Sequence, residues 1–485
     1  MDHAFAPISV RHADPLSPVL RALAGFGLSL QQARAHPCAD APGLAAPMLD
    51  ALPASALGLI TGPSGTGKST LLRAVAQEAT RRAVLVVDSA CRLAAADRSG
   101  HPVAALLSAR SANDPDAPLA TLTILGAAGL ADAGVLARPS RALSGGQRAR
   151  LSVALALGAA LRACSSGTPA LVVIDEFASG LDAATARSCA IALARWLLRL
   201  SVQAAPHAPP LRVVIASARD DLSEMLRPAV IARTDHAAQP CLTVPAGAPP
   251  ARALAGVRIA PGTPADYHRL APLHYRAGPP ATFDRVLTAH APGGSTERIA
   301  GVLVLSRPAL NAPWRHAAWP GDYAQPSPRD RAAAVNRDIR TISRLIVDPR
   351  DRASGVGSAL VRAALRAAPT RRTEVIAAMG ALCPVFSAAG MRPVEQPPSA
   401  RDARLRRALL TAGLQPWELV DADRAAECVH AHPPLERALR LWADASRATR
   451  KLRRADLHPL INAAAKAIAA PRRVYVFDRK TDSVL

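Results

Sequence analysis

The sequence is poor in lysine, aromatic residues and paired cysteines, and these shortages exclude several classes of protein. Only four of its 59 basic residues are lysine, and aromatic residues make up 3% of the 485 positions. Its seven cysteines include no CxxC pair, which argues against a disulfide framework or a zinc site. The most apolar stretch, residues 151–163, is interrupted by Arg162, and no signal-peptide pattern opens the chain. We therefore expect a cytoplasmic protein without a membrane partner.

What the sequence has in excess is positive charge. Its basic residues outnumber the 37 acidic ones and give a formal net charge of +22. A surplus of this size favours a polyanionic partner such as RNA, DNA or an acidic membrane face. Half of the residues are hydrophobic, which is enough for sizeable cores, and the length predicts two or three domains.

Three regions of the chain differ in texture. Residues 1–248 alternate short apolar runs with helical stretches, which is typical of an α/β domain with a largely parallel sheet. A linker rich in proline and alanine at 240–250 leads into a second α/β unit at 249–398, which has strand-like runs of its own. The sequence Gln396-Pro397-Pro398-Ser399 then separates a basic, mainly helical region at 399–485.

A glycine-rich motif lies in the first region, between an apolar run and a helical stretch. Gly62-Pro63-Ser64-Gly65-Thr66-Gly67-Lys68-Ser69 fits the pattern GxxxxGK[ST] of a phosphate-binding loop. Glycines let backbone N–H groups converge on phosphate oxygens, and the following helix, which begins near Thr70, presents its positive N-terminus. Lys68 would reach the β- and γ-phosphates, and the Ser69 hydroxyl would bind Mg²⁺. The motif therefore predicts an ATP site.

Two carboxylates end a later apolar run. Asp175 and Glu176 directly follow Ala170-Leu171-Val172-Val173-Ile174. A buried strand needs no acid at its end, whereas a MgATP site needs one carboxylate for the metal and one to polarise a water molecule. We assign the metal to Asp175, together with Ser69, and the role of catalytic base to Glu176. Lys68 is the second predicted catalytic residue.

The segment between these motifs narrows the interpretation. Leu143-Ser144-Gly145-Gly146-Gln147 resembles the signature motif of ABC-type ATPases, and Ser179-Gly180-Leu181-Asp182 resembles the D-loop of that family. The resemblance covers residues 1–245 and implies a P-loop sandwich domain that forms a head-to-tail homodimer. Ser144 and Gly146 of one subunit would then cover the γ-phosphate held by the other. Gly145, Gln147 and Asp182 would belong to the same composite ATP site.

Two departures from that family concern turnover. No glutamine occurs between Gln77 and Gln147, so the usual Q-loop residue is missing. The histidine that normally follows the last strand is also missing, and Arg219 or a neighbour replaces its titratable imidazole. We expect ATP binding to be retained and hydrolysis to be slow or differently gated. The missing Q-loop and the lack of a predicted membrane span argue against transport, which leaves the ABC functions that involve nucleic acid.

The second region contains another strand, glycine turn and helix. An apolar run at 340–349 precedes Arg352-Ala353-Ser354-Gly355-Val356-Gly357 and a helical stretch at 358–367. This pattern resembles motif A of the GNAT N-acetyltransferases, and the resemblance covers residues 255–395. It implies an acyl-CoA α/β domain whose glycine loop binds the pyrophosphate of acetyl-CoA, while the preceding strand receives the pantetheine arm. The implied acetyl-CoA residues are Leu345, Ile346, Val347, Arg352, Ala353, Ser354, Gly355, Val356, Gly357 and Ser358.

Groups for acyl transfer are harder to assign. GNAT enzymes often use a tyrosine to protonate the departing thiolate, but none of the four tyrosines lies near Phe386 in the sequence. Cys383 and Ser387 lie there but are more typical of packing. His274-Tyr275-Arg276 forms a polar triplet where the acceptor sites of this family usually form, and a solvated loop is the alternative interpretation.

The C-terminal region contains a basic run, Arg447-Ala448-Thr449-Arg450-Lys451-Leu452-Arg453-Arg454, which is either a solvated face or a phosphate-binding surface. With few aromatic residues, stacking on single-stranded bases finds little support. The whole sequence predicts an ATPase fused to an acetyltransferase whose acceptor amine lies on nucleic acid or a nucleic-acid-bound protein. One alternative is an SMC- or repair-like ATPase whose second domain only binds CoA. The other is an ATP-regulated acetyltransferase of a small molecule or protein.

Overall fold

The structure is a computed structural model. It describes residues 41–107, 117–130, 132–203, 209–235, 240–245, 257–274, 278–293, 296–352, 354–377, 380, 383–395, 399–469 and 473–482, and four positions before residue 41. These residues form one sheet of six strands and one of seven, with helices packed on both. Within the described ranges, no helix is both long and apolar enough to cross a bilayer.

The first sheet has six strands: β1 (Leu57–Thr61), β2 (Leu85–Asp88), β3 (Ala170–Ile174), β4 (Leu211–Ser217), β5 (Val230–Arg233) and β6 (Cys241–Thr243). Their order is β2-β3-β4-β1-β5-β6, with β1 to β5 parallel and β6 antiparallel to β5. Every residue of β1 and β3 is buried, as expected for parallel strands that are covered on both faces. The order places β4 between the strand before the phosphate-binding motif and the strand before the paired carboxylates.

Helices cover both faces of this sheet: α1 (Ala45–Ala51), α2 (Lys68–Arg81), α3 (Ser89–Ser99), α4 (Val103–Leu107), α5 (Ala117–Ala127), α6 (Ala133–Leu136), α7 (Gly145–Ser165), α8 (Ala183–Gln203) and α9 (Ser223–Leu226). Alternate residues of β3 enter different cores. Leu171 and Val173 pack with α1 and α2 on one face, whereas Val172 and Ile174 pack with α7 and α8 on the other. The predicted layered α/β arrangement of this region is therefore present.

The second sheet has seven strands: β7 (Arg258–Gly262), β8 (Arg285–Gly293), β9 (Thr296–Ser306), β10 (Ile339–Val347), β11 (Arg372–Ala377), β12 (Arg392–Val394) and β13 (Arg473–Asp478). Their order is β12-β13-β11-β10-β9-β8-β7. All neighbouring strands are antiparallel except β10 and β11, which run parallel. The crossover between this parallel pair contains the glycine turn that the sequence singled out.

The helices of this unit are α10 (Pro264–Leu270), α11 (Trp314–Ala318), α12 (Pro328–Asp338) and α13 (Val356–Ala367). The last of these, α13, packs on one face of the sheet against Val375 and Phe477. On the other face, α11 brings Arg315 to the buried Glu374 of β11, with Nη2 and Oε1 2.6 Å apart. Thr341 and Trp314 also donate to this carboxylate, so the buried charge is fully hydrogen-bonded.

The C-terminal region contains α14 (Ala400–Thr411), α15 (Ala422–Ala431), α16 (Pro433–Asp444) and α17 (Leu457–Ile468), which share a core of their own. These helices follow the predicted boundary at residue 398, and the chain then returns to the second unit. The strand β13 returns to the second sheet and pairs antiparallel with both β11 and β12. The helices are therefore an insertion between two strands of the second unit.

Candidate functional site

The predicted phosphate-binding loop connects β1 to α2 at the carboxyl edge of the first sheet. Gly62, Gly65 and Gly67 have φ angles of 149°, 83° and 87°, a region that favours glycine. A Cβ atom at Gly62 would lie 2.0 Å from the carbonyl oxygen of Thr234. Gly67 occupies the N-cap of α2 without a side-chain capping bond, which leaves the first N–H groups of the helix to a ligand.

Side chains of the same loop hold its shape. The buried Thr66 hydroxyl lies 2.6 Å from the Thr234 hydroxyl and donates to the carbonyl of Pro63. Lys68 also donates to the Pro63 carbonyl, over 2.5 Å. Burial lowers the pKa of the Lys68 ammonium, and the carboxylates of Asp175, Glu176 and Asp220 oppose this shift. The structure thus brings the predicted lysine and both predicted carboxylates to one place.

The carboxylates follow β3, two strands away from β1. The backbone N–H of Glu176 donates to Oδ1 of Asp175 over 3.0 Å. Glu176 and Ala178 have φ angles of 50° and 62°, and for residues with a Cβ this conformation costs about 1–2 kcal/mol each. Such strain persists where the surrounding structure imposes it, and it is concentrated at functional sites. Because these residues have left-handed backbone angles, the chain does not continue as a right-handed helix directly after β3.

A magnesium ion would be held here by few protein atoms. Ser69 lies in the first turn of α2, and Asp175 follows the buried β3. Hydroxyl and carboxylate oxygens suit Mg²⁺, which commonly takes one or two carboxylates and completes its shell with phosphate and water. Among the described residues there is no group of three or more His, Cys, Asp and Glu side chains arranged for a metal, so the nucleotide would supply the remaining ligands.

The turn after β4 is the place where a histidine would be expected from the family resemblance, and it contains Arg219 and Asp220 instead. Arg219 donates to both carboxylate oxygens of Asp221 and to the carbonyl of Leu181, in the segment that resembles a D-loop. The next residue, Asp220, accepts a 2.6 Å hydrogen bond from Thr61 at the end of β1. The sequence interpretation considered Arg219 and overlooked Asp220. Its position soon after the apolar run of β4 was a local signal, but only the strand order places it beside β1.

The predicted signature segment forms the start of α7. The Ser144 hydroxyl accepts from the backbone N–H of Gln147, and the Gln147 side chain accepts from the N–H of Ser144, which is a capping box. A Cβ at Gly146 would lie 2.9 Å from Leu181, so this glycine permits the close approach of the two segments. Gly145 has no such neighbour.

Asp182, the last residue of the predicted D-loop, caps α8. Its carboxylate accepts from the N–H groups of Ala184 and Thr185 and from the Thr185 hydroxyl. The Thr185 hydroxyl bond is the first cause of a lowered pKa at Asp182, and Arg350 of the second unit contributes further. The predicted D-loop residue is therefore an ordered, charged helix cap.

Comparison with known proteins identifies the type of domain that contains this loop. The family model of the AAA ATPase domain matches residues 46–233. The chain carries a P-loop ATPase domain. It is similar to the dimeric structure of MJ0796, a bacterial ABC transporter cassette, at 19% identity over 38% of this chain and 83% of that chain, with a TM-score of 0.27. The ADP- and Pi-bound post-hydrolysis dimer of that cassette matches at 17% identity over 40% and 88%, with a TM-score of 0.29.

No curated protein matches the chain. Both TM-scores lie below 0.5, and the ATPase domain is identified by the family match and by the geometry of the loop at 62–69. The ATPase domain accounts for the predicted mixed α/β fold and for ATP as ligand.

The second unit has its own site candidate, where β10 separates from β11. The parallel pairing joins Ile339, Arg340 and Thr341 to residues 372–374. Beyond this point β11 continues along β13, while residues 344–347 of β10 pair with β9 after a shift in register. In the described residues, the two parallel strands therefore share only three paired positions. We call the region beyond these positions, between residues 344–347 of β10 and 375–377 of β11, the wedge.

The glycine turn lies at the mouth of this wedge. Gly355 has a φ of 100° and caps α13 without a side-chain bond, like Gly67 in the ATPase domain. A Cβ at Gly357 would lie 3.1 Å from Val385 and 3.6 Å from Val347, and 3.9 Å from Leu345. Ser354, Val356 and Ile346 are buried, and Ser358 donates to the carbonyl of Val385. Ala353 lies outside the described residues.

Two other predictions about the second unit have mixed outcomes. His274 follows a short turn after α10, while Tyr275 and Arg276 of the predicted acceptor triplet lie outside the described residues. No tyrosine lies near Phe386 in the sequence, but one lies near it in space. The ring of Tyr475, which β13 carries, lies 5.5 Å from the ring of Phe386, and its hydroxyl donates to the carbonyl of Gly380 over 2.6 Å.

Proposed function

We propose that this protein is an ATP-dependent acyltransferase, in which closure of two ATPase domains on MgATP accompanies acetyl transfer from acetyl-CoA to an amine. The observation that carries the acyltransferase part is the wedge between β10 and β11, which opens beside the N-terminus of α13. Paired strands leave no room between them, whereas separated parallel strands offer a slot with free backbone groups on both sides. The resemblance of residues 352–357 to GNAT motif A agrees with this placement.

In the ATPase domain, the backbone of residues 62–69 would bind the phosphates and Lys68 would contact the β- and γ-phosphates. Glu176 would orient and deprotonate the attacking water. Ser144 and Gly146 would act across a homodimer on the partner's nucleotide. The capping box at Ser144 holds the start of α7 in place, and the N–H groups of Gly145 and Gly146 are not part of it.

In the second unit, the N–H groups at the start of α13 would bind the phosphates of CoA, and Leu345 and Val347 would contact its thioester arm. The amine nitrogen attacks the thioester carbon, the C–N bond forms and the C–S bond breaks. The amine gives up one proton to solvent water, and the CoA thiolate takes up another. We assign the proton that the thiolate takes up to the hydroxyl of Tyr475, the described tyrosine that lies beside Phe386.

The favoured acceptor is an amine on nucleic acid or on a protein bound to it. Four exposed cations, Arg450, Lys451, Arg453 and Arg454, lie on the turn that packs against α16. Two of them, Arg453 and Arg454, border a shallow depression of about 490 Å³ together with Arg437 and Arg440, and Glu436 and Asp444 also line it. Such a surface suits phosphates, and the net charge of +22 favours the same partner.

Turnover of acetyl-CoA with tRNA or duplex DNA, with and without ATP, tests this proposal. We expect acetylation of one nucleic acid or of a bound protein, and Tyr475→Phe should lower kcat by about 100-fold or more while CoA still binds. CoA binding without any transfer would favour the ATPase whose second domain only binds CoA. Transfer only to a small molecule would favour the ATP-regulated enzyme.

Reversal of charge at Arg450, Lys451, Arg453 and Arg454 tests the acceptor separately. We expect weaker nucleic-acid binding and a shallower dependence of affinity on salt, because each lost phosphate contact lowers the slope. Reversal at Arg329 and Arg331, two basic residues of α12, is the control. Equal binding by both variants would return the C-terminal run to a solvated face.

A further inference from the structure

The ATPase domain and the second unit touch at the turn that leads into the glycine loop. Ser188 of α8 is buried, and its hydroxyl donates to the carbonyl oxygen of Arg352 over 2.7 Å. The same helix packs on the short turn Pro349–Asp351. Ser188 lies six residues beyond Asp182, which caps α8 at the D-loop. One rigid helix therefore joins a segment of the ATP site to the entrance of the wedge.

Charges reinforce this contact on the D-loop side. Arg350 donates to both carboxylate oxygens of Asp348, at 3.0 and 2.7 Å. Asp348 is buried directly after β10, and its backbone N–H donates to the carbonyl of Ala300 in β9. Hydrogen bonding to Asp348 raises the pKa of Arg350, and Asp182 adds to the effect. The carboxylate that caps α8 and the end of β10 thus share one arginine.

The signature segment reaches the same turn by a second route. Arg150 of α7 donates to the carbonyls of Gly146 and Gly129. Arg352 lies near Arg150 and near Asp132; burial lowers the pKa of Arg352 and Asp132 opposes this. The helix that follows the D-loop is therefore hydrogen-bonded to this turn through Ser188, and Arg150, which holds the signature segment, lies near it.

The far half of α8 adds positive charge near the glycine loop. Arg195 lies close to Arg199 on the same helix and to Arg362 on α13, and their charges add to burial in lowering its pKa. An anion bound at the start of α13 would interact with these guanidinium groups of the ATPase helix. A ligand changes an equilibrium only through such a differential interaction.

We propose that residues 349–352 couple the two sites, so that ATP-driven movement of α8 changes the wedge and CoA binding changes the affinity for ATP. This inference rests on the proposed acyl-CoA site. Because binding energies are reciprocal, ATP and CoA must alter each other's affinity by the same factor. The chemistry that carries the signal is the Ser188 hydrogen bond and the charge shared among Asp182, Arg350 and Asp348.

Calorimetry of the full chain tests the coupling. The dissociation constant of CoA is measured with and without a saturating non-hydrolysable ATP analogue and Mg²⁺, and that of the analogue with and without CoA. We expect both ratios to equal the same factor, of about 5-fold or more. In the double variant Ser188→Ala, Arg350→Gln the factor should fall toward one, with each ligand still binding alone.

The control variant is Ser201→Ala, Arg337→Gln. Ser201 bonds to its own helix at the other end of α8, and Arg337 pairs with the adjacent Asp338. This variant should keep the wild-type factor. A wild-type factor of one, with both ligands bound, would overturn the coupling and leave the proposed function intact. Loss of both separate affinities in the double variant would reduce the contact to a structural one. Failure of CoA to bind any form would refute the acyltransferase proposal and the coupling with it.

Discussion

The two glycine turns of this molecule are alike locally and different in their surroundings. Each follows a parallel strand, and each ends in a left-handed glycine, Gly67 or Gly355, that caps a helix without a side-chain bond. Both therefore present free N–H groups to an anion. In the ATPase domain β1 pairs with a neighbour on each side along its length, whereas β10 loses β11 after Thr341. Where the strands stay paired, a ligand can bind only at the edge of the sheet. Where the pairing stops, a ligand can also enter between the strands.

The charges around the two turns differ in the same way. Lys68 lies among three carboxylates, Asp175, Glu176 and Asp220. A site that binds a metal ion and activates a water molecule requires such groups. Near the second turn, Arg298 pairs with Asp351 and Arg350 with Asp348. These arginines shape the loop instead of facing an open site. The comparison shows that the helix N-terminus indicates an anion, while strand pairing and charge decide which one.

The largest expected effect is on ATP hydrolysis at the first glycine turn, and CoA binding at the second turn should not change. Glu176→Gln removes the base but keeps the size of the side chain, so ATP hydrolysis should fall by about 100- to 10,000-fold while ATP still binds. Phosphate release and nucleotide titration measure the two quantities. CoA binding by this variant, without nucleotide, should equal that of the wild type. Unchanged hydrolysis would remove Glu176 from the mechanism and leave Asp220 as the carboxylate to examine.

A smaller effect should appear when the wedge is filled. In Gly357→Val the new side chain would crowd Val385 and approach Val347, so we expect CoA affinity to fall by about 10-fold, a loss on the scale of an overpacked contact. ATP binding should not change. Gly126→Val, a helical glycine with open space around its Cβ position, is the matched control. Equal CoA affinity in both variants would argue that the wedge is not the ligand site.

The smallest effect on function is expected for a change in β13, which lies between β12 and β11 in the second sheet. This change tests stability. Asp478 is buried at the end of β13 and accepts hydrogen bonds from Arg371 and Arg372. Burial raises the pKa of this carboxyl, but the hydrogen bonds outweigh it and bring the pKa to about 2. Asp478→Asn would leave Arg371 without this counter-charge and the buried Arg372 with Asp322 alone, so the free energy of unfolding at pH 7 should fall by about 3 kcal/mol.

The pH dependence of that loss has a fixed sign. Because the folded pKa lies below the unfolded one, the stabilisation by Asp478 is complete above the unfolded value near 4 and disappears as the pH falls to about 2. Denaturation across this range should therefore show the wild type approaching the variant. Asp456→Asn, which changes an exposed carboxylate, should show little difference at any pH. A gap between wild type and Asp478→Asn that persists at pH 2 would contradict this account.

Local patterns were enough to identify the ATPase site. The motif at 62–69 and the apolar run before Asp175 and Glu176 each depend on neighbouring residues in sequence, because strand, turn and helix are formed locally. The carboxyl ends of parallel strands meet at one edge, so the expectation that these residues converge was also reasonable. Asp220 was missed because its role depends on which strand lies between β1 and β3.

The second unit shows where such reasoning ends. The sequence of residues 352–357 predicts a glycine turn. No pattern in the neighbouring residues predicts that the pairing of β10 with β11 stops after three positions. Tyr475 lies 89 positions from Phe386 in the chain and reaches it because β13 inserts between β11 and β12. Strand insertion after a long helical excursion leaves no periodic signal, since the pairing partner is set by long-range packing.

By itself, the sequence determined that residues 62–69 form a phosphate-binding loop, because glycine conformation, lysine charge and the helix N-terminus are properties of adjacent residues. It also determined the layered α/β class through the alternation of apolar strands and helices. Tertiary structure alone decided that Asp220 lies near Lys68, that a wedge opens beside Gly357, and that Ser188 binds the backbone of Arg352. Each of these depends on strand order or on the docking of one unit on another, which buries surfaces from distant parts of the chain.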